Sequence, residues 1–221
     1  MVKHRLLFEK SGRAIYLSHL DLMRTLQRVF ARAGIGIRHT EGFNPHAYIS
    51  VLLPLSVGAS SNCELLDFEL IDDTPLEALP ALLNEKMPEG ITVKAAFETK
   101  RKVRELAWLD VTGLFEYDGL EDKAAMLEQL AAFFAQDEIL ITKKTKRKTD
   151  AELDIRPMIA NIAFEPAEGG IAVSARLLAQ NPGLNPNLLV AAIEQIKAEL
   201  LPDFHMFTRQ EVYDSEGNIF R

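Results

Sequence analysis

The side chains best suited to acid–base chemistry cluster in two short motifs near the start of the 221-residue chain. Ser-His-Leu-Asp-Leu occupies residues 18–22 and Gly-Phe-Asn-Pro-His occupies residues 42–46, with a carboxylate directly before the second motif. If the loop of the second motif folds over the first, an acid, a base and an orienting group could converge. This hypothesis names four candidate catalytic residues: His19, Asp21, Glu41 and His46.

The first motif also has a structural interpretation. Ser18 is a favourable helix N-cap, and an acidic residue in the first turn, Asp21, complements the helix dipole. A hydrolytic triad needs the histidine between the serine and the aspartate, with an oxyanion hole beside the nucleophile. Residues within one helical turn point to different sides. The spacing therefore favours a helix cap over a triad, and a protein without catalysis over an enzyme.

A second set of residues is suited to binding. Three arginines recur every four residues along the helix predicted after Ser18, opposite its apolar stripe, and guanidinium groups bind phosphate well. The alternative is a solvated face with acidic neighbours. In the second motif the phenylalanine is either a core plug or an exposed stacking surface, and the loop is either a binding loop or only a well-specified connection. The candidate binding residues are Arg24, Arg28, Arg32, Phe43, Asn44 and His46.

The net charge of −7 conceals an asymmetry along the chain. Residues 1–50 carry eight basic and three acidic side chains, whereas the remainder carries 17 basic and 29 acidic ones. An acidic body argues against indiscriminate nucleic-acid binding, but the N-terminal part can still present an anion-binding face. The basic run Lys143–Lys148 is either a solvated hairpin tip or a nucleic-acid contact.

The single cysteine, Cys63, excludes an internal disulfide and a four-cysteine zinc or iron–sulfur site. The five histidines lack the helical spacing of metal ligands, and no phosphate loop is present, so we predict neither a metal nor a cofactor. No apolar run reaches the roughly 18 residues that span a bilayer, and the N-terminus is unlike a signal peptide. We therefore expect a cytoplasmic protein without a membrane partner.

Hydrophobic spacing predicts elements that would position these motifs: a strand over 4–9, a helix from Ser18 to Gly34, extended segments over 48–55 and 64–71, a helix over 75–87 and a strand over 91–99. This order is typical of a ferredoxin-like fold. After a charged linker, strands at 109–116, 139–144, 158–164, 170–178 and 204–213 and helices at 122–135 and 187–200 repeat much of it.

The fold class predicted from this order is α+β, with two tandem ferredoxin-like (βαββαβ) domains built on antiparallel sheets. The first domain, residues 1–100, carries both motifs. Residues 101–106 form the linker, and residues 107–221 form the second domain.

The two motifs, within the run RLLFEKSGRAIYLSHLDLMRTLQRVFARAGIGIRHTEGFNPHAYIS, strongly resemble a bacterial family of radical SAM-linked proteins. The stretches PLSVGASSNCELLDFEL and ELDIRP are also similar to that family. Its members occur beside or fused to radical SAM proteins. The resemblance implies a radical SAM protein as partner and RNA as a further partner or presented substrate.

From the resemblance and the residues together we expect a non-catalytic accessory protein that works with a radical SAM enzyme and presents RNA or another substrate. One alternative is an enzyme that uses the four candidate catalytic residues. The other alternative is a purely structural subunit that contacts its partner through an apolar patch.

Overall fold

The computed structural model of this protein describes residues 3–43, 45–144 and 150–221, without the side chain of Lys144. The described chain divides into two compact units. The first extends to Glu105 and also includes Ile219–Arg221, and the second is Leu106–Asn218. Both units combine helices with antiparallel strands, which confirms the α+β class. The predicted boundaries at 100 and 107 lie close to this division, but chain order could not assign the last three residues to the first unit.

Four strands and two helices make up the first unit, in the order β1 (Lys3–Lys10), α1 (His19–Arg32), β2 (Ile49–Val51), β3 (Ser60–Phe68), α2 (Leu79–Asn84) and β4 (Ile91–Thr99). The strands pair antiparallel in the spatial order β4-β1-β3-β2. Phe8 and Lys10 on β1 pair with Glu64 and Ser61 on β3, with a register shift between them.

Helix α1 covers this sheet with its apolar face. Leu22, Leu26 and Phe30 recur at helical spacing and are buried, as are Leu6 and Phe8 on β1. The Phe30 ring also lies 5.2 Å from that of Phe68 on β3. Burying this stripe leaves the opposite face of α1, with its arginines, in solvent.

Helix α2 is shorter than the helix predicted over 75–87. A 3-10 turn occupies Leu76–Ala78, and the α-helix begins at Leu79, directly before Pro80. Proline lacks a backbone N–H and fits only the first turn of an α-helix, so it places the helix start here. The chain leaves α2 through Lys86, Met87 and Pro88 and enters β4.

The second unit contains β5 (Leu106–Glu116), α3 (Lys123–Phe134), β6 (Leu140–Lys144), β7 (Asp150–Asp154), β8 (Ile159–Ala167), β9 (Gly170–Leu178), α4 (Asn187–Ile196) and β10 (Phe204–Asp214). Its main strands pair antiparallel in the order β10-β5-β9-β8. Strands β6 and β7 form a separate hairpin. The sequence did not predict β7, because the acid-rich segment Asp-Ala-Glu-Leu-Asp has low strand propensity.

The last three residues of the chain help to build the first unit. The buried Arg5 on β1 pairs with Asp67 on β3, at 2.5 Å between Nε and Oδ1. The guanidinium groups of Arg5 and Arg101 lie 4.9 and 4.7 Å from the ring centre of Phe220, which is fully buried.

Among the described helices, none is long and apolar enough to cross a membrane.

Candidate functional site

The residues of the first motif cap α1. The Ser18 hydroxyl accepts from the backbone N–H of Asp21 at 3.2 Å and donates to Oδ2 of Asp21 at 2.7 Å. The other carboxylate oxygen of Asp21 lies 3.6 Å from Nη1 of Arg24. The predicted N-cap at Ser18 is confirmed. His19 is exposed in the same turn.

Gly34 ends α1 as predicted and turns the chain back along the helix. Its φ of +71° is in the left-handed region that favours glycine. The N–H of Ile35 donates to the carbonyl of Phe30 at 3.1 Å, and that of Gly34 donates to the carbonyl of Ala31 at 3.2 Å. These two bonds define a Schellman motif. The turn places the buried Ile35 beside the last turns of α1.

The segment after this turn is fixed to the end of β3. Ile37 bridges to Leu70, and the backbone N–H of Arg38 donates to the Glu69 carbonyl at 2.9 Å. The Arg38 guanidinium lies 3.0 Å from the buried Glu69 carboxylate, and this hydrogen bond raises the pKa of Arg38. The loop with the second motif therefore projects from an anchored base.

A small hydrogen-bond network closes the loop. His39 bridges to Ala47, and its Nδ1 lies 3.0 Å from the carbonyl oxygen of Ile37. The Thr40 hydroxyl accepts from the backbone N–H of His46 and lies 3.1 Å from its Nδ1. The backbone N–H of Thr40 donates to the His46 carbonyl at 2.8 Å. Both imidazoles are thus held in place at the neck of the loop.

Between this loop and α1 lies a cavity of ≈ 260 Å³, which we name the histidine cavity. Helix α1 contributes one wall and the chain from the Schellman turn to the end of the loop contributes the other. Its lining residues are Gln27, Phe30, Ala31, Ile35, Ile37, His39, Pro45, His46 and Ala47. Among the described residues, the lining is apolar at the base and carries one amide and two imidazoles, without Lys, Arg, Asp or Glu.

On the opposite flank of α1 lies a concavity of ≈ 320 Å³, which we name the basic groove. Its lining residues are Leu17, Thr25, Arg28, Val29, Arg32, Lys86, Met87 and Pro88. Arg28 and Arg32 are exposed, and within the described ranges neither makes a salt bridge. Lys86 enters from the end of α2, 3.6 Å from the exposed Glu85. Three cations therefore surround a partly apolar floor.

The structure brings some predicted residues together and separates others. Arg28 and Arg32 share the basic groove, whereas Arg24 lies outside its lining and pairs with Asp21. His46 lines the histidine cavity, on the other flank. His19 precedes Gln27, the first helical residue of that cavity, by eight positions, a rise of about 12 Å along α1. The four candidate catalytic residues do not share either concavity.

The remaining predicted residues lie at or beyond the loop tip. Phe43 is fully exposed, which selects the exposed surface over the core plug, and Glu41 is exposed beside it. Asn44 lies outside the described residues. So do Thr145–Lys148 of the basic run and the Lys144 side chain, while Lys143 is exposed on β6. Within the described ranges, no group of three or more His, Cys, Asp or Glu side chains could hold a metal.

Sequence reasoning missed Gln27, His39 and Lys86. Gln27 and His39 each occur singly, without a spacing pattern that marks a site. Lys86 follows Arg32 by more than 50 positions and reaches it only through the packing of the first unit. No local signal in a single sequence could have joined these residues to the predicted ones.

Comparisons with known proteins concern the family and the fold. A sequence model described as "Uncharacterized protein conserved in bacteria" (DUF2344) matches residues 3–186. No curated protein matches the chain.

Two solved structures are similar to the chain at low identity. A chain of "Crystal Structure of a Cbf5-Nop10-Gar1 Complex" is 9% identical with a TM-score of 0.51, and the match covers 95% of the present chain and 48% of that chain. "Crystal Structure of an Unknown Protein from Galdieria sulphuraria" is 8% identical with a TM-score of 0.26, covering 96% and 98%. The first likeness concerns the fold alone, and the present chain spans about half of that longer chain.

Proposed function

The chain belongs to the DUF2344 family of bacterial proteins, and we propose that it is a non-catalytic accessory protein that binds RNA through the basic groove and works with a radical SAM enzyme. Under this proposal, Arg28, Arg32 and Lys86 hold phosphates of the RNA backbone. The radical chemistry belongs to the partner enzyme.

The uncompensated charge of Arg28 and Arg32 in the basic groove is the observation that carries the RNA proposal. Arg28 and Arg32 are one helical repeat apart, where like charges repel each other, and no carboxylate of the described residues pairs with them. An anion bridging the two guanidinium groups relieves that repulsion, and guanidinium forks match phosphate oxygens. The apolar floor of Val29, Met87 and Pro88 leaves room for the sugar of a nucleotide.

The partner proposal is supported by the resemblance of the two motifs to radical SAM-linked proteins and by the cysteine count. Cys63 is the single cysteine of the chain and is only 2% exposed. A radical SAM iron–sulfur cluster takes three cysteine ligands, which these 221 residues cannot supply. We also interpret both units as ferredoxin-like, because each follows the antiparallel strand order that this fold requires.

Binding of fluorescein-labelled single-stranded RNA, measured by anisotropy between 50 and 200 mM salt, tests the RNA proposal. We expect affinity to fall steeply with salt, because phosphate contacts release counterions. The double variant Arg28→Glu/Arg32→Glu should reduce the slope of log K against log salt by about two, since each lost contact removes about one unit. RNA that fails to bind at 50 mM salt would contradict the proposal.

The matched control for this experiment is Arg104→Glu. Arg104 is an exposed arginine of the same unit that does not line the basic groove. The change alters the net charge by the same amount per site, so a general charge effect would weaken RNA binding in the control as well.

A second candidate function, a purely structural interaction subunit, is favoured by exposed apolar side chains before and at the start of α1. Tyr16, Leu20 and Val57 are 71, 57 and 57% exposed. The backbone N–H of Gly58, next to Val57, donates to the carbonyl of Ile15 at 2.9 Å, so this segment lies against the turn that precedes α1. Apolar side chains grouped in this way are typical of protein contacts.

Co-purification with a radical SAM protein from the same genome tests the partner proposal separately. We expect the two proteins to co-elute, and Leu20→Asp to abolish the association while leaving the salt slope for RNA unchanged. Co-elution that persists without RNA but is lost in Leu20→Asp supports the structural role. A radical SAM protein that never co-elutes contradicts both versions of the partnership.

A further inference from the structure

We propose that the histidine cavity binds a single unpaired nucleobase. The inference rests on the shape, the polarity and the lack of charge of the cavity between α1 and the loop, and it does not depend on the RNA function proposed for the basic groove.

The base of the cavity is an apolar surface suited to a flat ring. Phe30, Ile35 and Ile37 are 1, 6 and 4% exposed, so their side chains form a fixed wall of the core rather than a mobile surface. At ≈ 260 Å³ the cavity is just below the range of about 300–1,000 Å³ that holds drug-sized ligands. It therefore suits one small ring system and is too small for a folded peptide segment.

Gln27, His39 and His46 supply polar groups to the lining, and the edge of a nucleobase needs such partners. A carbonyl oxygen can only accept, so Nδ1 of His39 carries the proton that it donates to Ile37, and Nε2 is the ring nitrogen left for a ligand. Among the residues that the structure describes, the side-chain amide of Gln27 has no hydrogen-bond partner. It offers one donor group and one acceptor. Nucleobase edges carry adjacent donors and acceptors that pair with such groups.

The charges around α1 decide between a base and a phosphate. Of the side chains that the structure describes, no Lys, Arg, Asp or Glu lines the histidine cavity, whereas three cations line the basic groove. A buried or partly buried phosphate would need positive partners, so it fits the groove and not the cavity. A neutral heterocycle can enter the cavity without an unpaired charge.

Titration with the four ribonucleosides, followed through the imidazole C–H signals in the NMR spectrum, tests the inference. Nucleosides carry no phosphate, so the three cations of the basic groove have no phosphate to bind in this experiment. We expect saturable shifts of the His39 and His46 signals with a Kd of about 1 mM. The Kd values of the best and the worst base should differ about fivefold. Absence of shifts with all four nucleosides at about 10 mM overturns the inference.

Two variants locate the binding. Ala31 is an exposed helical residue at the wall of the cavity, so Ala31→Phe should fill the space without disturbing the core. We expect it to abolish nucleoside binding, whereas Ala81→Phe, an exposed alanine on α2, should leave it unchanged. Gln27→Leu should retain weak binding but lose discrimination between bases. Wild-type binding by Ala31→Phe would place the nucleoside elsewhere and overturn the inference.

The groove variant keeps this inference separate from the RNA proposal. Arg28→Glu/Arg32→Glu should leave the nucleoside Kd unchanged, because neither side chain lines the histidine cavity. Nucleoside binding that is lost in this variant would show that the signal arises from the basic groove, and the inference would fail while the RNA proposal stood. If nucleosides bind the histidine cavity but RNA does not bind the protein, the inference stands and the RNA proposal fails.

Discussion

On one flank of α1, Arg28, Arg32 and Lys86 line a partly apolar groove, whereas on the other flank Gln27 and two imidazoles line a cavity with Phe30. Both concavities use the same helix, and both lie just outside its buried stripe. They differ in the segment that covers each flank: the end of α2 contributes a lysine, and the anchored loop contributes two imidazoles. The comparison shows that an amphipathic helix acquires its chemistry at its borders, where a second element meets it.

Removal of the Phe30 side chain should disturb both concavities at once, because this side chain packs the helix that they share against the core. Phe30 is 1% exposed and packs against Phe68. Phe30→Ala should lower the free energy of unfolding by about 3–5 kcal/mol, the usual cost of deleting a buried aromatic ring. Urea denaturation measures this loss. Val57→Ala, at an exposed position, is the control, and a similar loss there would contradict the assignment of Phe30 to the core.

Charge reversal at single arginines compares the RNA contacts of a groove residue with those of an arginine outside the groove, on the same face of α1. Arg32→Glu should lower RNA affinity about tenfold at 50 mM salt and reduce the salt slope by about one. Arg24→Glu should have a smaller effect, because Arg24 lies outside the groove lining and pairs with Asp21. RNA-binding anisotropy measures both variants. Equal losses would indicate a general effect of net charge and contradict the role of the groove.

Loss of the helix cap should lower stability mildly and change binding at neither flank. Ser18→Ala removes the acceptor for the backbone N–H of Asp21, and we expect a loss of about 1 kcal/mol in the free energy of unfolding. Thermal and chemical denaturation measure it. RNA and nucleoside affinities should remain at the wild-type values under conditions where the protein is folded. An unchanged stability would contradict the capping role and return the motif to the catalytic hypothesis.

The smallest predicted effect is a pH dependence of stability caused by a histidine of the second unit. The binding at the two flanks of α1 should be compared at a pH where this effect is absent. Burial lowers the pKa of His205 on β10. As the pH falls, the imidazole is therefore protonated in the unfolded chain before it is protonated in the folded chain. Stability should therefore decrease as the pH falls below the ordinary histidine value of about 6.5. His205→Gln should reduce the drop in Tm between pH 7.5 and 5.5. An identical drop in both proteins would show that His205 does not contribute.

The sequence predicted the local features of α1 closely. Ser18 and Gly34 mark its two ends, since an oxygen cap and a left-handed glycine are local requirements that single residues satisfy. It also predicted that Arg28 and Arg32 lie together. Arg24, which the sequence grouped with them, lies outside the groove that Arg28 and Arg32 line. Each step of four residues overshoots a full helical turn by about 40°, so Arg24 is rotated by about 80° from Arg32.

Residue types and spacing by themselves determined the α+β class, the polarity of α1 and the lack of cysteine ligands for a cluster. These properties depend on near neighbours or on counts. The tertiary structure alone decided that Lys86 lines one groove with the arginines, that His39 and His46 line one cavity with Gln27, and that the two sets lie on opposite flanks of one helix. Such contacts join residues distant in the chain, and their positions follow from the packing of the whole first unit.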